Sequence, residues 1–121
     1  MTEQELIKKY PKLFKQKDLP MTQTAMCCGI ECGPGWYHLI DELCDQLQHM
    51  TDNRDHPQVE FIQVKEKFGT LRVYTSGESD LQFEIIRIFE DLSGRTCESC
   101  GKPGELRNGG WMTTLCDDCL L

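Results

Sequence analysis

Apolar residues recur at helical spacing in two stretches of the first half of the chain. Residues 2–17 open with Thr2 and Glu5 in capping-box positions, and Pro11 is expected to break or kink the helix that follows. Residues 36–50 repeat apolar side chains every three or four positions and predict the most regular helix of the chain. The remaining face of this helix is polar, which is typical of a helix that covers a core.

Two runs rich in β-branched and aromatic residues follow. Val59–Val64 and Thr70–Thr75 have strand character, and residues 65–69 join them, so we predict a β-hairpin. Ser79 and Gln82 then stand in capping-box positions at the start of another amphipathic helix. The order of these elements predicts helices that pack against a small hairpin.

Four of the eight cysteines form two pairs near the end of the chain. Cys97, Cys100, Cys116 and Cys119 read C-x2-C-x15-C-x2-C, which is the spacing of a four-thiolate zinc site. Asn108–Gly110 predicts the turn of a β-hairpin between the pairs. We expect a zinc ribbon that holds one structural Zn²⁺, because thiolates fill all four tetrahedral positions. Two redox-active dithiols are the alternative.

The predicted fold class is therefore α+β, a small helix and β-hairpin domain closed by a C-terminal four-Cys zinc ribbon. Gly94 is the expected C-cap of the last helix. It divides the predicted domain, residues 1–94, from the ribbon, residues 95–121. No flexible linker separates the two.

The other cysteines follow no common ligand spacing. Cys28, Cys32 and Cys44 are candidates for a second zinc or redox site, with Cys27 beside them. The competing interpretation is that Cys44 is a small buried apolar residue on its helix and that the other three occupy a tight loop.

Composition narrows the classes of function. The 121 residues carry 13 Lys and Arg against 20 Asp and Glu, a formal net charge of −7, which disfavours a general binder of nucleic acid or anionic membranes. No apolar run approaches the roughly 20 residues of a membrane-spanning helix. The first residues lack the features of an export signal, so we expect a cytoplasmic protein with no membrane partner.

A few basic and aromatic side chains stand out as a candidate binding surface. They lie in the segment that joins the predicted strands and in the ribbon: Lys65, Lys67, Phe68, Lys102, Arg107 and Trp111. Cations of this kind contact phosphate, and aromatic rings stack on bases.

Three separated motifs carry a resemblance to known proteins. The first is Glu31-Cys32-Gly33-x-Gly35-Trp36-x-x-Leu39-Ile40-x-x-Leu43-Cys44, and the second is Gln63-Val64-Lys65-Glu66-Lys67-Phe68-Gly69-x-Leu71-Arg72-x-Tyr74. The third runs from Cys97-Glu98-x-Cys100-Gly101-x-Pro103-Gly104 to Gly110-Trp111-x-x-Thr114-Leu115-Cys116-x-x-Cys119. Together they resemble a group of small bacteriophage and prophage proteins of unassigned function. The resemblance implies a phage-type accessory protein inside the bacterial host cell and supplies no activity, substrate or catalytic residue.

Three functional hypotheses remain open. The first is a non-enzymatic protein that binds a host or phage protein and inhibits or redirects a host or defence complex, since we find no arranged nucleophile and base and no phosphate-binding loop. The second is a nucleic-acid-binding ribbon. The third, a zinc-scaffolded nuclease, is disfavoured because His38, His49 and His56 lie far before Cys97 in the chain. No small-molecule substrate is expected.

Overall fold

The computed structural model describes residues 1–120 and has the predicted α+β fold. Its helices and strands are numbered in chain order. They are α1 (Glu3–Lys9), β1 (Ile30–Glu31), α2 (Tyr37–Asn53), β2 (Glu60–Lys67), β3 (Thr70–Ser76), α3 (Asp80–Ser93), β4 (Glu105–Asn108), β5 (Met112–Leu115) and α4 (Asp117–Leu120). Short 3-10 turns lie at Lys15–Asp18, Met26–Cys28 and Pro34–Trp36.

The helices begin and end close to where the sequence predicts. The Thr2 hydroxyl accepts the N–H of Glu5 at the start of α1. Ser79 and Gln82 form the reciprocal capping box of α3, and the N–H of Gly94 caps its last turn. Helix α2 has 17 residues. Within residues 1–120, no helix is long and apolar enough to cross a membrane.

Strands β2 and β3 pair as the predicted antiparallel hairpin, with a tighter turn than expected. Lys67 is paired with Thr70, so the turn consists of Phe68 and Gly69 alone. Both turn residues have positive φ, 53° and 86°. This is the left-handed geometry of a two-residue turn that matches the twist of a hairpin.

A third strand, β1, completes this sheet, in a stretch where the sequence pattern predicted neither a helix nor a strand. Ile30 pairs with Val64 in parallel, and the strand order is β1-β2-β3. Two residues are too few to show a periodic pattern, so this strand depends on tertiary pairing. Strands β4 and β5 form a separate antiparallel pair in the ribbon.

The core lies between α2 and the inner face of the hairpin. The N-terminal segment contributes to it as well, because Leu6 and Leu13 are fully buried and the ring of Phe14 meets that of Phe61 edge-on at 4.9 Å between centroids. Trp36 is also fully buried, at the entry to α2.

Candidate functional site

The four ribbon cysteines come together as the spacing predicts. Cys97 and Cys100 lie on one turn, while Cys116 and Cys119 lie after β5 and in α4. All four sulfur atoms lie within 4.8 Å of one another, and those of Cys100 and Cys116 are 3.6 Å apart. Thiolates bound to one tetrahedral zinc at about 2.3 Å would be roughly 3.8 Å apart. The donor set and its spacing therefore fit a zinc ion.

The first knuckle is shaped to hold a thiolate. Gly101 has a positive φ of 85°, which favours glycine, and its N–H donates to the carbonyl of Cys97. Burial raises the pKa of the Cys97 thiol, but backbone N–H groups of Cys116, Cys100 and Ser99 stabilise its thiolate and bring the pKa down to about 6. One sulfur is therefore ionised at neutral pH.

The thiol of Cys119 is harder to ionise than that of Cys97. Hydrogen bonds with the thiols of Cys116, Cys100 and Cys97 raise the pKa of Cys119 to about 12. Several like charges in so small a space disfavour one another, whereas a divalent cation at their centre favours the thiolate form. The four cysteines are thus close enough together to hold one divalent metal ion.

The glycine-rich motif before α2 is the docking surface for this knuckle. The N–H of Gly35 donates to the carbonyl of Glu98 at 2.7 Å, and the Trp36 indole N–H donates to the carbonyl of Thr96 at 2.8 Å. A Cβ on Gly35 would overlap the carbonyl oxygen of Cys97. The ribbon backbone thus lies directly on the start of α2, and only glycine leaves room for it.

The hairpin turn docks on the other side of the ribbon. The Thr114 hydroxyl, which is fully buried, donates to the carbonyl of Gly69 at 2.6 Å. A Cβ on Gly69 would lie 2.6 Å from a methyl carbon of Leu106. The three motifs that are separate in sequence therefore meet at the ribbon.

An aromatic cleft forms where the hairpin turn and the ribbon meet. We define it by Lys65, Lys67, Phe68, Trp111 and Met112, which line a volume of about 530 Å³. Phe68 is 64% exposed and Trp111 is 76% exposed. The Lys67 ammonium lies 5.7 Å from the centre of the Phe68 ring. Four of the six residues predicted as a binding surface are thus brought together.

The remaining two predicted surface residues lie close to carboxylates of the ribbon. Arg107 lies within β4, not at the hairpin tip, and donates to a carboxylate oxygen of Asp117 at 2.8 Å and to the carbonyl of Leu115 at 3.1 Å. Lys102 lies 3.8 Å from a carboxylate oxygen of Asp118. Neither lines the aromatic cleft, so the ribbon offers fewer free cations than its sequence indicated.

Cys28, Cys32 and Cys44 do not form a ligand set. In the part of the chain that the structure describes, the ribbon cluster is the one group of three or more metal-binding side chains. Cys44 is fully buried on the core face of α2, whereas Cys28 is exposed. Burial raises the pKa of Cys32 to about 12. Cys32 packs against the core in which Cys44 lies, but within residues 1–120 the two belong to no group of three or more metal-binding side chains.

One of the three histidines, His38, is closer to the ribbon than the sequence separation indicated. A Cβ on Gly101 would lie 3.3 Å from the His38 ring, so His38 borders the first knuckle. It belongs to no group of metal-binding side chains within residues 1–120. His56 Nδ1 lies 2.8 Å from the Ser79 hydroxyl, which also caps α3.

A second groove was missed by sequence reasoning. It lies between β3 and α3, has a volume of about 570 Å³, and is lined in part by Arg72, Tyr74, Phe83 and Arg87, which we call the arginine groove. Strand alternation placed Arg72 and Tyr74 on one polar face, and Phe83 and Arg87 are one helical turn apart. The sequence does not show that these four residues share a groove, because their proximity depends on how α3 packs beside β3.

Comparison of the chain with protein-family models, with curated proteins and with solved structures gave no match. The comparisons therefore assign no family, and the resemblance to phage proteins stays an expectation.

Proposed function

We propose that this chain is a non-enzymatic, zinc-stabilised binding protein whose aromatic cleft receives a protein partner of a phage or its bacterial host. One observation carries the proposal: Phe68 and Trp111, two large and largely exposed aromatic side chains, line the same cleft where the hairpin turn meets the ribbon. Aromatic residues of this kind dominate the energetics of protein interfaces.

The conformation of Phe68 supports a binding role. A bulky residue with φ of 53° is strained by about 1–3 kcal/mol. The fold does not offset this cost by burying the ring, which stays largely exposed. Burial of such a side chain against a partner contributes about 1.5–3 kcal/mol. A strained, exposed phenylalanine is better explained by binding than by stability.

The metal is assigned a structural role in this proposal. Four thiolates leave no coordination position for a water molecule, so zinc would supply rigidity and no reaction step. Through Thr114 and Leu106 the ribbon fixes the position of Gly69, the residue next to Phe68. Zinc binding would therefore shape one wall of the cleft directly and the other through the hairpin turn.

At long range the net charge of the chain favours a basic partner, while Lys65 and Lys67 make the cleft itself locally basic. A net charge of −7 steers association with positively charged surfaces, such as those of proteins that handle nucleic acid. Occupying such a surface would inhibit or redirect the partner. Because the attraction is electrostatic, the complex should weaken as salt is added.

The test is capture of partners from nuclease-treated bacterial lysate on zinc-loaded protein. Phe68→Asn is the key variant, since Asn-Gly favours the left-handed two-residue turn and the fold is kept while the ring is lost. Trp111→Ser is the second variant. Met21→Ser is the matched control because Met21 is 78% exposed and lies outside the cleft.

We expect a protein that wild type and Met21→Ser retain and both cleft variants lose. Zinc content near one per chain and unchanged circular dichroism would show that the variants are folded. Equal retention by all four proteins would refute the cleft as the binding site.

A further inference from the structure

The hairpin has one buried face and one open face. Val64, Leu71 and Val73 are buried, and alternation along the strands places Lys65 and Arg72 on the opposite side. Lys65 and Arg72 are direct cross-strand partners. Like charges in this position destabilise a strand pair, so the fold gains nothing from them. An anionic ligand would turn this repulsion into attraction.

The guanidinium groups of the arginine groove have few partners within the protein. Arg72 donates from Nε to the Thr70 hydroxyl at 3.0 Å. Within residues 1–120, Lys65, Arg72 and Arg87 make no ion pair at 4.0 Å or less. Each guanidinium has five N–H donors in a planar fork, the geometry that binds phosphate oxygens in pairs.

The acidic side chains around the groove are partly engaged elsewhere. Glu90 accepts the N–H of Val73 at 2.8 Å. Burial raises the pKa of its carboxyl group, whereas the Val73 hydrogen bond and the nearby charges of Arg72 and Arg87 lower it, so Glu90 offsets part of the charge of both guanidinium groups. The bond from the Val73 N–H and the one from the Leu71 N–H to the Ser93 hydroxyl, also 2.8 Å, attach α3 to the edge of β3. Glu78 lines the groove as well, and Glu31 is the register partner of Lys65 on β1.

Two aromatic rings accompany these cations. Tyr74 is 43% exposed and Phe83 is 45% exposed, and both line the same groove as Arg72 and Arg87. Cations that contact phosphates together with exposed rings that stack on bases are the two elements of single-strand recognition. An acidic peptide would use the arginines and leave the rings without a flat partner.

We infer that the arginine groove binds single-stranded nucleic acid, with a base against Tyr74 and Phe83 and the flanking phosphates beside Arg72 and Arg87. Lys65 extends the positive surface toward the aromatic cleft. The inference can be tested separately from the proposed protein partner, since none of the four groove residues lines that cleft and, of the proposed contact residues, only Lys65 belongs to it. The net charge of −7 opposes a long polyanion, so contact is confined to a few nucleotides.

Fluorescence anisotropy with a labelled fifteen-nucleotide oligo-dT tests the inference on zinc-loaded protein. Arg72→Gln and Arg87→Gln should each weaken binding, and Phe83→Leu should weaken it by about 5- to 100-fold, as loss of one stacked base does. Arg54→Gln is the matched control, because Arg54 is exposed and lines a different groove, on the α2 side of α3. It should change affinity less than 2-fold.

Three further measurements distinguish the ligand. With about three phosphates contacted, the logarithm of the binding constant should fall with the logarithm of salt at a slope of about −2. A duplex of the same length should bind more weakly than the single strand. Free dTMP should compete less well than the unlabelled strand, which distinguishes a site for a strand from a site for a free nucleotide. Trp111→Ser should leave oligonucleotide binding unchanged.

Several outcomes would overturn the inference. The first is no anisotropy change at low salt, and the second is an equal loss of oligonucleotide affinity in Arg54→Gln and Arg87→Gln. The third is competition by dTMP as strong as that by the unlabelled strand. The fourth is a labelled poly-Glu peptide that binds as tightly as oligo-dT and loses affinity in the same variants. The last result would assign the groove to an acidic protein segment.

Discussion

Replacing Thr114 by valine removes one hydroxyl from the contact between the ribbon and the hairpin turn. Valine has nearly the same shape, so the packing around β5 is kept. What disappears is the hydrogen bond of 2.6 Å from the Thr114 hydroxyl to the Gly69 carbonyl, in a place where Thr114 is fully buried. The carbonyl of Gly69, which is also buried, then has no replacement for this donor.

The expected loss of stability comes from the Gly69 carbonyl, which is left without a hydrogen-bond donor. A buried polar group left without a partner costs about 1–3 kcal/mol, more than the net value of the bond itself. The greater apolarity of valine offsets a part of this, so we expect a loss of about 1.5 kcal/mol. For a chain of this size, that corresponds to a fall of about 6 °C in the unfolding temperature.

The assay is thermal and urea unfolding of zinc-loaded protein followed by circular dichroism. Thr113→Val is the matched control, because Thr113 is the neighbouring residue on the other face of β5 and is only half-buried. We expect Thr113→Val to change stability by less than 0.5 kcal/mol, as surface substitutions usually do. Partner capture should fall in Thr114→Val alone, because the cleft loses the contact that fixes its turn.

A result in which both threonine variants unfold at the same temperature would refute this reasoning. The hydrogen bond would then contribute nothing that solvent does not replace. A Thr114→Val protein with lower stability and full partner capture would show instead that the turn keeps its position without the bond.

Three further predictions concern the metal site. Gly35→Ala should lower zinc affinity at least 10-fold in a chelator competition, since its Cβ would overlap the Cys97 carbonyl, whereas Gly109→Ala has nothing within 4 Å and should bind as wild type. Cys28→Ser with Cys44→Ala should keep one zinc per chain by mass spectrometry, and a wild-type value of two would contradict the single site. The Cys97 thiol, with a pKa of about 6, is ionised at pH 7 and protonated at pH 5. Zinc binding should therefore release about one more proton at pH 5, measured calorimetrically in two buffers, and a constant release would show that the knuckle is not preformed without metal.

The sequence by itself determined the elements whose signals are local. Helix α2 follows from apolar spacing, the hairpin from β-branched runs, and the start of α3 from Ser79 and Gln82. The four-Cys cluster follows from two C-x2-C pairs, because each pair needs only one tight turn to direct both sulfurs to the same point.

The tertiary structure decided how these elements meet. The docking of the knuckle on Gly35 and of β5 on Gly69 joins residues more than forty positions apart, so no window of sequence contains it. The same contacts bring Phe68 and Trp111 to one cleft. Within the ribbon, the pairing of β4 with β5 places Arg107 close to Asp117. A periodic pattern shows which face of an element is apolar. Only packing shows which polar and aromatic side chains from different elements remain exposed together, and both candidate binding sites depend on that.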